Sequence, residues 1–205
     1  MNTSQSLLAV TAFMTVSALT VFAADATPAA APAAKPAAMA SMPGMIMSDK
    51  PLEIGATAPA LKGTNQDGKV IDLAELYKKG PVLVYFYPKA GTPGCTLEAC
   101  ALRDATPDFT ATNLTIIGVS HDTVEAQKKF ATEQKLPFSL LADPKGEIYM
   151  AFGVPGTTRQ SYLVQNGKIV WRQLAASTDK QADDVKKALA DLKITTGPAA
   201  APAKP

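Results

Sequence analysis

Residues 82–100 read VLVYFYPKAGTPGCTLEAC and combine a hydrophobic run, a turn and the start of a predicted helix. A hydrophobic run typical of a buried strand enters a turn rich in proline and glycine, and the turn leads into a predicted helix. Cys95 lies in the first turn of that helix, where free backbone N–H groups and the positive end of the helix dipole favour a thiolate. Cys100 follows, and the chain has two cysteines in all. The pair is therefore the candidate centre of the chemistry.

Strands and helices alternate on both sides of this stretch. Upstream, the turn at 65–68 and the strand Val70–Leu73 predict a short opening hairpin. The dipeptide Asn166-Gly167 suits a two-residue type I′ turn, which joins two late strands. The remaining predicted elements are strands at 81–87, 114–120, 161–165 and 168–174, and helices at 92–109, 123–134, 146–152 and 179–192. The segment 140–142 is short and apolar and is assigned to no element. Pro107 is expected to end the first of these helices or to start a new turn.

This order predicts an α/β domain with three layers. A βαβ unit is followed by an antiparallel hairpin and a closing helix, so the central sheet should be mixed and have helices on both faces. The arrangement matches a thioredoxin-like fold with an N-terminal hairpin extension and an inserted helix. The composition places this domain at residues 51–195.

The flanking segments predict export. Residues 1–23 resemble a signal peptide, since 7–22 is apolar or small and small residues offer a cleavage site. One feature is atypical of a signal peptide, since no Lys or Arg precedes Lys35. The alternative is an uncleaved membrane anchor, because the apolar run is only slightly short for a span. Residues 24–50 predict a disordered linker of Ala, Pro and Met, and 196–205 a similar tail. We expect a periplasmic protein with no stable membrane association after cleavage.

Composition argues against several classes of function. The formal net charge is +2, without a basic run, so nucleic acid is not an expected partner. One histidine and two cysteines form no recognisable metal-ligand set, and no cofactor is expected. Four methionines could hold Cu(I), which leaves a copper- or redox-binding module as an alternative. They are Met39, Met42, Met45 and Met47.

The spacing of the two cysteines argues against a structural disulfide. Residues five apart on an ideal helix have Cα atoms about 8.7 Å apart. A disulfide needs Cα atoms closer than about 7 Å. Cys95 and Cys100 can therefore bond only if the first helical turn unwinds, which suits a reactive pair better than a permanent one.

Residues 86–104, FYPKAGTPGCTLEACALRD, resemble the active-site segment of the peroxiredoxin Q (bacterioferritin comigratory protein) family. Pro88, Thr92, Cys95 and Cys100 are in register with the proline, threonine, peroxidatic cysteine and resolving cysteine of that family. The resemblance continues at 117–122, 130–143 and 157–164, and so covers the domain from 51 to 193.

The resemblance implies a thiol-dependent peroxidase of the atypical two-cysteine type. Cys95 would attack hydrogen peroxide or an organic hydroperoxide and become a sulfenic acid. Arg159 would stabilise the thiolate and polarise the peroxide, Thr92 would bind the substrate by a hydrogen bond, and Pro88 would shield the site from water. Cys100 would then form an intramolecular disulfide. A thioredoxin-like dithiol protein would reduce it, and a monomer would suffice.

Several of these residues also have a simpler interpretation. Thr92 could be an N-cap, and Glu98 could either orient Arg159 or favour the first helical turn. Arg103 is interpreted as a surface ion-pair residue and His121 as a loop residue rather than a base. A thiol–disulfide oxidoreductase on the same fold is the rival enzyme class, although the chain lacks a Cys-x-x-Cys motif.

Overall fold

A seven-stranded mixed sheet forms the centre of the domain in the computed structural model, which describes residues 50–156 and 158–194. Its strand order is β2-β1-β5-β4-β3-β6-β7. The strands are β1 Lys62–Asn65, β2 Val70–Asp72, β3 Val82–Phe86, β4 Thr115–Ser120, β5 Ser139–Ala142, β6 Gln160–Gln165 and β7 Lys168–Gln173. Strands β3, β4 and β5 are parallel, and every other pairing is antiparallel.

Six helices are described with this sheet. They are α1 Leu73–Lys79, α2 Pro93–Asp104, α3 Thr106–Thr110, α4 Val124–Glu133, α5 Glu147–Phe152 and α6 Gln181–Asp191. Helices α2, α3, α4 and α6 contribute to one hydrophobic cluster, and α1 and α5 contribute to the other. The predicted three-layer, thioredoxin-like fold with a mixed sheet is therefore confirmed.

Strand β3 shows how the sequence produces these two cores. All five of its residues are buried, and successive side chains point to opposite faces of a sheet. Leu83 and Tyr85 belong to the cluster beneath α2, whereas Val84 and Phe86 belong to the cluster beneath α1 and α5. A strand covered on both faces explains the uninterrupted hydrophobic run at 82–87.

One predicted boundary was wrong, and one prediction was refined. The strand Val70–Leu73 ends at Asp72, whose side chain accepts hydrogen bonds from the backbone N–H groups of Ala74 and Glu75 and so starts a helix that was not predicted. The helical stretch predicted at 92–109 is two helices that meet at Ala105, and Pro107 lies in the first turn of α3, in line with the expectation that it starts a new turn.

The other predicted elements agree with the structure to within one or two residues, and the short apolar segment at 140–142 is part of β5. Asn166 and Gly167 both have positive φ angles, 51° and 72°, as the predicted turn requires. The predicted signal peptide, the linker up to residue 49, the methionine group and the C-terminal tail lie outside the described residues.

Candidate active site

Cys95 occupies the first turn of α2. The helix begins at Pro93, whose fixed φ angle suits the first helical position and whose missing N–H costs nothing there. Cys95 is the third helical residue and is only 2% exposed. Cys95 is therefore buried at the positive end of the helix, and its place in the first turn is the one that the sequence predicted.

Arg159 brings a positive charge to this sulfur. The residue immediately precedes β6, which pairs antiparallel with β3. Its Nη2 donates to Cys95 Sγ at 3.4 Å, while Nη1 donates to Glu98 Oε2. Its side chain is 16% exposed, so little solvent screens these contacts. Arg159 and Cys95, which are far apart in the sequence, thus meet as the resemblance implied.

Glu98 is completely buried and holds the other side of the guanidinium. Burial raises the pKa of Glu98 to about 7, and the charge of Arg159 acts in the opposite direction. Its second oxygen, Oε1, has no hydrogen-bond partner among the described residues. The contact favours the interpretation that Glu98 orients Arg159, rather than that it serves the helix dipole alone.

Thr92 holds the N-cap position, but its side chain does not cap the helix. The hydroxyl instead donates to the carbonyl oxygen of Lys89 at 3.0 Å. The N-cap interpretation is thus wrong for the side chain. Because its proton is used, the hydroxyl oxygen keeps lone pairs that can accept a hydrogen bond from a bound molecule. Pro88 lies two residues after the end of β3 and is half-buried.

Cys100 lies on the same uninterrupted helix and is half-buried. Both cysteines are free thiols. Cys100 Sγ donates to Gln134 Oε1 at 3.6 Å. Arg103 pairs with Asp104 at 2.8 Å, as predicted for an ion-pair residue, and also donates to the carbonyl of Gln134 at 2.8 Å. Since Gln134 is the C-cap of α4, this second contact joins the later part of α2 to that helix.

His121 is a loop residue at the end of β4, as expected. Its ring stacks on Tyr149 with centroids 4.0 Å apart. Nδ1 lies 3.0 Å from the carbonyl oxygen of Asp143 and Nε2 lies 3.3 Å from that of Gly156. Both ring nitrogens therefore lie next to backbone carbonyl oxygens and not next to either cysteine.

Sequence reasoning missed several residues around the site. Gly94 lies against Arg159 and Thr178, because a Cβ atom placed there would be 3.5 Å from Nη2 and 3.3 Å from Cγ2 respectively. The carboxylate of Asp122 accepts a hydrogen bond from the backbone N–H of Ala90. The glycine next to the reactive cysteine could have indicated a close contact at position 94, whereas no local sequence pattern indicates the contact with Asp122.

The described residues supply neither a metal cluster nor a membrane-spanning helix. Within 50–156 and 158–194, no three His, Cys, Asp or Glu side chains group closely enough to hold a metal ion. Across the same ranges, no helix is long and apolar enough to cross a membrane.

Comparison with known proteins places this geometry in a family. The AhpC/TSA family model matches residues 54–172. The chain is 37% identical over 149 residues to a chloroplastic peroxiredoxin Q of Sedum lineare, which covers 68% of this chain and 78% of that protein. It is 38% identical over 152 residues to a peroxiredoxin of Mycobacterium tuberculosis, covering 68% of this chain and 94% of that protein. It spans only 56% of a rice peroxiredoxin Q, at 39% identity.

Solved structures agree with the sequence relatives. Peroxidoxin BcpB of Mycobacterium tuberculosis superposes with a TM-score of 0.64 at 33% identity, over 71% of this chain and 99% of that one. A bacterioferritin comigratory protein of Xanthomonas campestris, described for its alkyl peroxide reduction activity, gives 0.64 at 27% identity, over 69% and 97%. The chain therefore belongs to the AhpC/TSA family and, within it, to the peroxiredoxin Q, or bacterioferritin comigratory protein, branch of thiol-dependent peroxidases.

Proposed function

We propose that the chain reduces hydrogen peroxide and organic hydroperoxides through a sulfenic acid on Cys95. The observation that carries the proposal is the 3.4 Å contact between Arg159 Nη2 and Cys95 Sγ in the first turn of α2. A guanidinium and a helix N-terminus both stabilise the thiolate, which is the nucleophilic form of cysteine. The Xanthomonas campestris relative, described for alkyl peroxide reduction, supports including organic hydroperoxides.

In the first step, a lone pair of the Cys95 thiolate attacks one peroxide oxygen. A sulfur–oxygen bond forms, the oxygen–oxygen bond breaks, and the departing oxide takes up a proton to leave as water or an alcohol. Cysteine is oxidised and the peroxide is reduced. Arg159 stabilises the negative charge as it moves from sulfur to oxygen. The lone pairs of Thr92 Oγ1 accept the O–H of the substrate, and Pro88 keeps water from the site.

In the second step, the Cys100 thiol attacks the sulfenic sulfur. The disulfide forms, and the hydroxyl group leaves with the thiol proton as water. The step requires the first turn of α2 to open, because the intact helix keeps the two Cα atoms too far apart. The contact of Arg103 with Gln134 anchors the later part of the helix to α4. Cys95 is therefore the cysteine that moves.

A thioredoxin-like dithiol protein completes the cycle by thiol–disulfide exchange. We place the protein outside the cytoplasm, in the periplasm, from the signal-like residues 1–23. A monomer is sufficient, because both cysteines of the disulfide belong to one chain.

Replacement of each cysteine by serine tests these roles. After one equivalent of hydrogen peroxide, Cys100→Ser should accumulate a sulfenic acid on Cys95 that dimedone traps and mass spectrometry detects. Cys95→Ser should consume peroxide no faster than a free small-molecule thiol. Fast consumption by Cys95→Ser, or loss of the first turnover in Cys100→Ser, would overturn the assignment.

A further inference from the structure

A chain of hydrogen bonds links the end of β3 to the end of β4. The Tyr87 hydroxyl donates to Gln127 Oε1, and Gln127 Nε2 donates to Ser120 Oγ at 2.8 Å. The Ser120 hydroxyl donates to Asp122 Oδ2 at 2.6 Å. The backbone N–H of Ala90 donates to the same oxygen at 2.7 Å. The chain therefore connects a buried aromatic residue to the loop that precedes α2.

The direction of each bond makes an acceptor necessary at position 122. Tyr87 and Ser120 each use their single hydroxyl proton, and Gln127 uses its other N–H on the carbonyl of Leu141 at 3.1 Å. Ser120 is fully buried, so leaving its hydroxyl proton without an acceptor has a cost, whereas Ala90 and Asp122 are half-buried. Without an oxygen at 122, two donors lose their acceptor, and one of them is the backbone of Ala90.

The loop at 88–92 depends on this anchor. Within the described part of the chain, Asp122 is the only side chain from outside the loop that bonds to its main chain. The adjacent carbonyl of Lys89 accepts the Thr92 hydroxyl at 3.0 Å. The position of Ala90 therefore affects the direction of the Thr92 side chain. Thr92 is the N-cap of α2, whose first turn contains Cys95.

We propose that Asp122 is a positioning residue for the oxidation of Cys95, an inference that rests on the proposed peroxidase function. It contacts no reacting atom and acts through the N–H of Ala90. Its task is to accept two hydrogen bonds on one oxygen, and its negative charge is not required. This distinction makes the proposal testable, because asparagine offers one side-chain oxygen in the same place.

The test compares Asp122→Ala with Asp122→Asn in the full chain. The measured quantity is the second-order rate constant for oxidation of Cys95 by hydrogen peroxide. We expect Asp122→Ala to be about 10- to 100-fold slower than the wild type, as for other small misplacements of reactive groups. Asp122→Asn should remain within about threefold of the wild type. Asp122→Ala at the wild-type rate, or Asp122→Asn as slow as Asp122→Ala, would overturn the proposal.

A matched control separates positioning from general loss of stability. Asp72→Ala removes another aspartate that accepts backbone N–H bonds, at the start of α1 and on the opposite face of the sheet. It should keep the wild-type rate constant. An equal slowing in Asp72→Ala would mean that the rate follows stability alone, and the proposal would fail.

Amide hydrogen exchange of the peptide at 88–92 gives a readout that does not depend on peroxide. Exchange should be faster in Asp122→Ala than in the wild type and unchanged in Asp122→Asn. If Asp122→Ala does not fold, Ser120→Ala, which removes the two bonds of the chain that Ser120 makes, to Gln127 and to Asp122, replaces it with the same expected direction. Unchanged exchange would overturn the inference. A wild type that reacts slowly with peroxide would instead contradict the proposed function and leave the exchange comparison as the deciding result.

Discussion

At the scale of single residues, Arg159 is the side chain on which the reactivity of Cys95 should depend most. Its guanidinium contacts both Cys95 Sγ and Glu98 from a nearly buried position. A hydrogen bond to a charged group contributes about 1.5–3 kcal/mol. We therefore expect Arg159→Gln to slow oxidation of Cys95 by about 10- to 100-fold in a stopped-flow assay at pH 7.

Arg172→Gln is the matched control for this prediction. Arg172 is also partly buried, but its guanidinium donates to the carbonyls of Pro51 and Leu52, away from the cysteines. Its replacement should leave the rate constant within about twofold of the wild type. Equal effects of the two substitutions would show that the position of Arg159 is not what matters.

The buried carboxyl group of Glu98 should make the free energy of unfolding depend on pH. Burial raises its pKa to about 7, so between about pH 4.5 and 7 the folded protein keeps a proton that the unfolded chain has released. The free energy of unfolding should therefore decrease as pH rises through this window, by about 3 kcal/mol in total. Glu98→Gln removes this contribution, so its unfolding free energy should fall less between pH 4.5 and 8.

Urea unfolding at several pH values measures this difference. Burial also raises the pKa of Asp143, which adds a slope of the same sign in every variant. The comparison of Glu98→Gln with the wild type isolates the contribution of Glu98. Glu133→Gln, at an exposed position, should retain the full wild-type slope. A wild-type slope in Glu98→Gln would contradict the effect of burial.

The residues of the site differ in how far the sequence could identify them. Cys95 and Arg159 stand in family register, so the resemblance predicted both. The direction of the Thr92 hydroxyl could not be predicted, because it depends on whether the Lys89 carbonyl or a helical N–H lies nearer. Asp122 reaches the loop across 32 positions of the sequence, and no local pattern records such a contact.

At the scale of elements, the proposed disulfide requires α2 to change conformation. Both cysteines lie on one continuous helix, which separates their Cα atoms by more than a disulfide permits. We expect amide exchange in 93–99 to become faster when the disulfide forms, while α4 stays protected. Hydrogen exchange of the reduced and oxidised protein, analysed by mass spectrometry, measures this change.

Cys100→Ser provides the control for the helix. It reacts with peroxide at Cys95 but forms no disulfide, so its α2 should remain protected after one equivalent of peroxide. Protection of 93–99 that is equal in the reduced protein and the disulfide form would contradict the opening of the first turn.

Most elements followed from the pattern of hydrophobic residues, and α1 shows where that reasoning stopped. The run Val70–Leu73 suits a strand, yet the carboxylate of Asp72 accepts the N–H groups of Ala74 and Glu75 and turns the chain into a helix. An aspartate followed three residues later by a glutamate is a recognised helix start, and it was present in the sequence. The helix is only seven residues long, so its hydrophobic period was weak.

At the scale of the whole molecule, the centre of the sheet is tightly packed against side chains of the cluster that includes Cys95. Gly118 lies on β4 between β3 and β5. A Cβ atom there would lie 2.7 Å from Leu140 Cδ2 and 2.8 Å from the hydroxyl oxygen of Tyr85. Both side chains are fully buried in the cluster that includes Cys95, so neither can move aside freely. We expect Gly118→Ala to lower the free energy of unfolding by about 1–3 kcal/mol.

Urea denaturation tests this packing prediction. Thr115→Ala, at the half-buried start of the same strand, serves as the control and should have a smaller effect. A Gly118→Ala protein as stable as the wild type would contradict the prediction, because it would show that the sheet can accommodate a methyl group at this position.

The order of strands was the part of the architecture that the sequence did not reveal. The hairpin β1–β2 was predicted, but its docking against β5 depends on only two residue pairs, Thr64 with Ala142 and Asn65 with Leu141. Short pairings of this kind are decided by the shape of the completed sheet, not by either strand alone.

The proposed function requires Cys95 to be an activated peroxidatic thiol and Cys100 to resolve it. Stopped-flow mixing of the fully reduced chain with one equivalent of hydrogen peroxide tests the claim most directly. Trp171 packs against the cluster that contains Cys95, so its fluorescence can follow the reaction, and free thiols are counted at the end. We expect a reaction much faster than that of a free small-molecule thiol, with loss of both thiols. A reaction no faster than that of the free thiol would contradict the proposed function.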